Sequence, residues 1–337
     1  MKMKNKRILI AIIVVMTALF FYGCGQQDSS GAEKEKEKAK SSEQKNEKQK
    51  SEKKKAEQNK KETAGQPETI VTSKYTKDSP LVIEIDPGHG AEDSGGIGKE
   101  KADDGTVIKE VAEKDVDWTL ANHLKEALQK YDNVTVFMTR EENENPSLEE
   151  RVNQAVADDA DIVISIHNNA YGEGFRYTDG CMVLAGTGNI REDIAKKDQL
   201  LGVYILRELK QLGIADRGLL LRLYPDGETY DNGKVMDFYG IVRRSLMAGI
   251  SGIIIEHAYL DDDNDYSSFL STDKQLKKLA EEDARGIAGY YRLQPVLKEQ
   301  ETYDSQIIYM IDDNGDHTKY TPTQFKLNKL PEQGEKQ

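Results

Sequence analysis

Apolar and polar positions divide the 337-residue chain into four stretches: 1–23, 24–66, 67–296 and 297–337. Behind the basic start Lys2, Lys4, Lys6 and Arg7, a mostly apolar run extends from Ile8 to Phe21. Such a run is short for a membrane span, which needs about 20 residues, and suits the core of an export signal. Residues 25–66 contain no large apolar side chain and repeat Lys, Glu, Gln and Ser. That composition cannot bury enough surface to offset the entropy of ordering, so it reads as a tether, spanning about 35 Å as a coil.

Patterning changes near Pro80. Leu81-Val82-Ile83-Glu84-Ile85-Asp86 predicts a strand that ends in the turn Pro87-Gly88-His89-Gly90. Val111 to Tyr131 predicts a helix, with Leu120, Ala121, Leu124, Ala127 and Leu128 on one face. Val134–Met138 is a second strand, and Leu148, Val152, Ala155 and Val156 mark a second helix. Asp161–Ile166 is an apolar strand running into His167; a helix around Leu200–Leu212, the strand Gly252–Glu256 and a closing helix over 275–293 follow. Strands alternating with helices predict an α/β fold, a single three-layer domain over 67–296 whose largely parallel sheet is flanked by helices. The tail has one apolar stretch, Ile307 to Ile311, which either adds an edge strand or drapes over the domain.

Charge narrows the function. The net charge is −13; with +4 in residues 1–24 and +3 in residues 25–66, −20 is left for residues 67–337. So acidic a domain is no nucleic-acid binder, which needs basic surface against phosphates. Two cysteines, Cys24 and Cys181, make neither a disulfide framework nor a cysteine zinc cluster.

His89 and His167 each follow an apolar strand, and ligands of open α/β sheets bind beyond the carboxyl ends of strands. Two imidazoles meeting there would suit zinc, which in catalytic sites takes three protein ligands and a water. The third ligand would be an acid: Glu113, on the inward face of the first helix, or Glu110 one turn earlier. Glu256 stands at another carboxyl end.

In order along the chain stand Asp86-Pro87-Gly88-His89-Gly90, Glu113-Lys114-Asp115, Thr139-Arg140, Ser165-Ile166-His167-Asn168-Asn169 and Ile253-Ile254-Ile255-Glu256-His257 with Asn264 and Asp265. From Leu81 to Tyr291 this series resembles the zinc-dependent N-acetylmuramoyl-L-alanine amidases of bacterial cell walls. The resemblance implies a zinc site at the carboxyl ends of the strands, with His89, Glu113 and His167 as ligands of one Zn2+ and Glu256 as catalytic carboxylate. It selects Glu113 over Glu110 through the helix-opening Glu-Lys pair. It also implies peptidoglycan as substrate and cleavage between N-acetylmuramic acid and L-alanine. Two departures are Ala91, where a second glycine is usual, and Tyr259-Leu260-Asp261 in place of aromatic-Leu-Ser-Asn. Two other outcomes fit the same residues: a non-catalytic wall-binding lipoprotein, or a zinc peptidase cutting within the stem peptide.

Phe21-Tyr22-Gly23-Cys24 resembles a bacterial lipoprotein signal, with Cys24 as lipidation site; the alternative is an uncleaved anchor helix. Either places the domain outside the cytoplasm, lipid-anchored on the outer face of the membrane in the first case, and a monomer is expected. Arg222 and Arg243 are candidates to bind substrate carboxylates, which Arg pairs bidentately. Arg140 is assigned to ordinary ion pairing, His257 to a structural role and Cys181 to a buried strand. His123 and His317 are not ligands, and the Asp run 261–263 is a solvated turn.

Overall fold

The computed structural model describes residues 70–71, 73–171, 179–225, 227–294, 296–297, 302–310 and 321–326. The apolar leader, Cys24, the tether and His317 lie outside them. In chain order the elements are β1 (Ile70–Val71), β2 (Leu81–Pro87), β3 (Ile97–Lys101), β4 (Val107–Ala112), α1 (Glu113–Leu128), β5 (Val134–Met138), α2 (Leu148–Ala157), β6 (Ile162–Asn169) and β7 (Cys181–Leu184). Then come α3 (Glu192–Leu209), β8 (Asp216–Arg222), α4 (Gly240–Ala248), β9 (Ser251–Tyr259), α5 (Asp273–Tyr291), β10 (Val296–Leu297), β11 (Thr302–Met310) and β12 (Thr321–Lys326).

Eight described strands form one sheet in the order β12-β11-β8-β7-β9-β6-β2-β5. The pairs β5–β2, β2–β6, β6–β9, β7–β8 and β8–β11 are parallel; β7–β9 and β11–β12 are antiparallel. The central strands are buried on both faces and mostly apolar, as a sheet covered on both sides requires, with Glu84, Asp86 and Ser165 among the buried polar exceptions. On one face α1, α3 and α5 bury Leu120, Leu124, Leu201, Ile205, Leu279 and Ile287 against Ile83, Ile85, Ile164, Ile253 and Ile255. On the other, Val152 and Ala155 of α2 and Val242 and Leu246 of α4 pack against Val163, Leu184 and Ile254. The result is the three-layer α/β arrangement that the alternation of elements predicts.

Differences from the pattern are local. Val111 belongs to β4 rather than opening the helix, because residues 97–112 fold into the hairpin β3–β4. The third helix begins at Glu192, eight positions before the apolar stripe from Leu200 makes it legible, and its last turn tightens to a 3₁₀ turn at Lys210–Leu212. Ile307–Met310 pair with Leu219–Arg222 inside the sheet, and β12 rather than β11 is the edge. Among the described residues, no helix is long and apolar enough to cross a membrane.

α1 starts without a side-chain cap. Its first amides are satisfied instead by the preceding loop: Glu113 N–H donates to Gly96 O at 2.9 Å and Lys114 N–H to Ser94 O at 3.2 Å. The helix that carries Glu113 is thereby fixed to the loop that carries His89.

Candidate active site

The carboxyl ends of β2, β6 and β9 and the start of α1 converge on one point. After β2 the chain turns sharply, and His89 takes a left-handed backbone conformation (φ 56°), costly for a residue other than glycine. Gly88 is required by close approach: a Cβ there would lie 2.4 Å from His167 Cε1. The two imidazoles meet edge to face with centroids 4.9 Å apart.

Glu113 sits between them. His89 Nε2 is 3.3 Å from Glu113 Oε2, and His167 Nδ1 is 3.1 Å from Glu113 Oε1. Each oxygen also accepts a backbone N–H, from Gly96 at 2.7 Å and Asn168 at 3.1 Å. Glu113 is buried, whereas Glu110 is exposed on β4, so the structure brings the first of these two acids to the histidines and not the second. Burial favours the neutral acid of Glu113, but the His167 and His89 contacts outweigh it and hold the carboxyl well below its ordinary range. Burial lowers His89, but hydrogen bonds and charge from Glu113 and then Asp93, whose Oδ2 lies 3.0 Å from His89 Nδ1, raise it to about 9.

Asp117, one helical turn beyond Glu113, joins the group: donor atoms of His89, Glu113, Asp117 and His167 all lie within 4.8 Å of one another. Burial and the charge of Glu113 push its carboxyl upward. The sequence pattern held a signal for it, since i and i+4 share a helix face.

Glu256 faces His167 across the β6–β9 ladder, where the register shifts: one residue of β6, Asn168, stands opposite His257 and Ala258 of β9. Such a bulge re-aims side chains. Glu256 Oε2 is buried and accepts no hydrogen bond among the described residues. Burial pushes its carboxyl up to about 7, with His167 pulling down and Glu113 pushing further up. That is a proton affinity suited to acid–base work near neutrality.

A second layer holds this group in place. His257, on the opposite face of β9, is fully buried with Nδ1 3.0 Å from His167 O and Nε2 2.8 Å from Asp283 Oδ2. Both neighbours are acceptors, so both ring nitrogens carry protons; burial opposes this and Asp283 overcomes it, raising the imidazole. Asp86 accepts from Thr139 Oγ1 (2.6 Å), Ser165 Oγ (2.6 Å) and Arg151 Nη1 (2.7 Å). Arg151 also donates to Pro87 O at 2.8 Å and His89 O at 2.7 Å. Arg140 corrects the ion-pair expectation: it donates to the carbonyls of Pro87, Gly88, Glu141 and Glu142. Two arginines therefore grip the His89 turn by its backbone.

Arg222 and Arg243 lie at the end of β8 and in α4. The Arg222 guanidinium stacks 3.5 Å from the Phe238 ring centroid. Tyr239 next to it feels burial first and then the charge of Glu256, which raise its phenol to about 12, while Arg222 pulls it down. Arg243 Nη1 donates to Asp237 O (2.7 Å) and Phe238 O (2.8 Å), so its guanidinium braces the loop 223–239. His123 contacts Asp273 on the surface of α1 and α5, away from the cluster, and Cys181 is a buried free thiol in β7. In the Asp run, Asp261 accepts from Tyr171 N–H, Asp262 caps the next turn and Asp263 pairs with Lys101.

Residues 83–289 match the family model described as N-acetylmuramoyl-L-alanine amidase, Amidase_3. The chain belongs to this family. Among relatives, N-acetylmuramoyl-L-alanine amidase AmiC of Escherichia coli is 41% identical over 98 residues, 29% of this chain and 21% of that protein. N-acetylmuramoyl-L-alanine amidase LytC of Bacillus subtilis is 28% identical over 222 residues, 64% of this chain and 37% of that one. This family member thus spans about a fifth and about a third of those two proteins. The solved N-acetylmuramoyl-L-alanine amidase from Clostridium difficile 630 is 22% identical, covering 63% of this chain and 97% of its own, with a TM-score of 0.49.

Proposed function

We propose that this protein is a zinc-dependent hydrolase of peptidoglycan that cuts the amide between the lactyl group of N-acetylmuramic acid and L-alanine, and that Cys24 anchors it by lipid to the outer face of the membrane. The observation that carries the activity is the convergence of His89, Glu113 and His167 at the carboxyl ends of the strands with Glu256 beside them. Family membership supports the bond assigned.

The donor set fits zinc. Two imidazole nitrogens and a carboxylate oxygen are the ligand types zinc takes, and three of them leave a position open. His89, Glu113 and His167 would hold the ion, which when bound supplies Lewis-acid polarisation of an amide carbonyl and lowers the pKa of water toward about 7. The remaining work belongs to the chain. Glu256, with Oε2 unengaged, takes the proton of the attacking water and delivers it to the alanine nitrogen as the C–N bond breaks. His257 holds the His167 carbonyl, and Arg140 and Arg151 hold the His89 turn, so the imidazoles stay aligned through turnover. Arg222, at the end of β8 and coupled to Tyr239, is suited to receive a stem-peptide carboxylate.

Support for the anchor is the apolar run Ile8–Phe21, the Phe21-Tyr22-Gly23-Cys24 that follows it, and the polar Lys- and Glu-rich tether behind. Several acyl chains, each gaining about 0.8 kcal/mol per buried CH₂, would hold the protein to a membrane. The test of the metal reading is zinc content per chain, together with dye release from labelled peptidoglycan. Expected are one zinc and release that stops with chelator and returns with zinc. Zinc-free protein that releases dye equally well would overturn it, and zinc-loaded protein that binds the wall without release would make it a binding lipoprotein.

A further inference from the structure

Asn169 holds a donor with nothing to bond. Its Nδ2 is buried and has no hydrogen-bond partner among the described residues. The backbone around it is fixed: the residue pairs with Tyr259 across the β6–β9 ladder, and Asn169 O accepts from Leu260 N–H at 2.7 Å. Buried donors are normally satisfied, and an orphaned one lowers stability.

Strand geometry places this donor on the site. Successive residues of β6 alternate between faces. Asn168 points toward α1, where its Nδ2 donates to Asp117 Oδ1 at 2.8 Å, so His167 and Asn169 share the other face. In β9, Ala258 and Leu260 pack in the α1 layer and His257 reaches Asp283 of α5, which leaves Glu256 and Tyr259 on the face of His167 and Asn169. The bulge makes this possible by setting His257 and Ala258 together against Asn168. Two pairs therefore stand in line on one face, His167 with Glu256 and Asn169 with Tyr259, about 6.5 Å apart along β6. Beyond them Tyr171 stacks on Tyr259, with ring centroids 4.4 Å apart.

We infer that Asn169 is a catalytic residue whose Nδ2 donates to the carbonyl oxygen of the scissile amide and holds the negative charge that gathers there. The inference rests on the amidase reading above and adds a substrate contact to it. As the water oxygen bonds the carbonyl carbon, its proton passes to Glu256 and the C=O π pair moves onto the oxygen that Asn169 holds. When the pair returns, the C–N bond breaks, the proton on Glu256 goes to the alanine nitrogen, and Asn169 is left holding the new lactyl carboxyl. A donor fixed in advance on a paired strand needs no reorganisation as this charge develops. The missing partner fits the same role, since any group bonded to Nδ2 in the free protein would have to be displaced by substrate.

The test uses the full chain, zinc-loaded, on soluble glycan–peptide fragments of peptidoglycan. Asn169→Leu removes the donor and nearly keeps the shape; Asn169→Ala serves in case leucine obstructs the substrate. Both should bind zinc as the wild type does, with kcat lowered about 10²- to 10³-fold and KM within about threefold. The urea midpoint of Asn169→Leu should stay within about 0.3 M of wild type or rise, because no bond is lost. A kcat within about threefold of wild type in either variant, or a loss carried by KM alone, overturns the inference. A midpoint that falls further, or lost zinc, assigns the side chain a structural role and overturns it too. Wild type that makes no L-alanine ends overturns the amidase reading and this inference with it, whereas active wild type with equally active variants overturns the role of Asn169 alone.

Discussion

Arg151→Met tests whether the His89 turn is held by its backbone. Arg151 and Asp86 have side chains 3% and 2% exposed and pair at 2.7 Å. The substitution keeps an unbranched apolar stem and removes the donors to Asp86, Pro87 O, His89 O, Pro146 O and Asn145 Oδ1. Asp86 then retains the hydroxyls of Thr139 and Ser165 but no hydrogen-bonded positive partner, Arg140 remaining only as a nearby charge. Removing one member of a buried ion pair costs about 3–5 kcal/mol, because the other charge stays buried. With an unfolding slope of about 2–3 kcal/mol per molar urea, the midpoint should fall by about 1–2.5 M. The double variant Asp86→Leu/Arg151→Met should lose less than the two single changes added, by about 0.5–3 kcal/mol, since the residues share one network. Zinc affinity should fall with the single change by about 10- to 100-fold, as for a group that orients a ligand. A midpoint shift below about 0.3 M, or strict additivity, would refute the buried-pair reasoning; unchanged zinc affinity would refute the positioning of His89.

Three other outcomes are expected. Glu256→Gln should fold and bind zinc as the wild type does while wall hydrolysis falls about 10²- to 10⁴-fold; turnover within a few-fold of wild type removes Glu256 from the proton path. Asp198 is almost fully buried, and burial, against the bonds it accepts from Gly252 and Ser251, raises its carboxyl from 3.8 to about 8. The folded chain therefore holds a proton that the unfolded chain releases, and stability declines as pH rises from about 4 to 8. Asp198→Asn should lack that slope, so between pH 5 and 8 the wild type loses up to about 4 kcal/mol more than the variant in urea titrations; parallel curves contradict it. Cys24→Ser should move the protein from the membrane fraction to the soluble fraction, and persistence in the membrane would point to an uncleaved anchor helix.

Strands buried on both faces were legible from composition alone. Ile83, Ile85, Ile162, Ile164, Ile253 and Ile255 are fully buried, and all but Ile83 and Ile85, which flank Glu84, stand in continuous apolar runs. The hairpin β3–β4 was not, because Ile97, Val107 and Ile108 are exposed among charged neighbours and give no alternation to read. Nothing in Cys181–Leu184 encodes direction, so the antiparallel placement of β7 against β9 appears only once the sheet assembles. At the site, the strand-end positions of His89 and His167 were readable from pattern, and the choice of Glu113 needed the family resemblance. Asp117 was missed although its spacing from Glu113 signals a shared face, because its burial and its bond from Asn168 of β6 arise only once the helix packs on the sheet. The roles of Arg140 and Arg151 were unreadable: their partners are mostly carbonyls of a strained turn, which residue types do not announce.

The most direct test of the account is to digest intact peptidoglycan with the zinc-loaded full chain and identify the new chain ends by mass spectrometry, with a chelator-treated control. The account predicts new amino termini at L-alanine and peptide-free lactyl carboxyls on the glycan, both absent with chelator. New ends elsewhere in the stem peptide, or the same L-alanine ends in the presence of chelator, would contradict it.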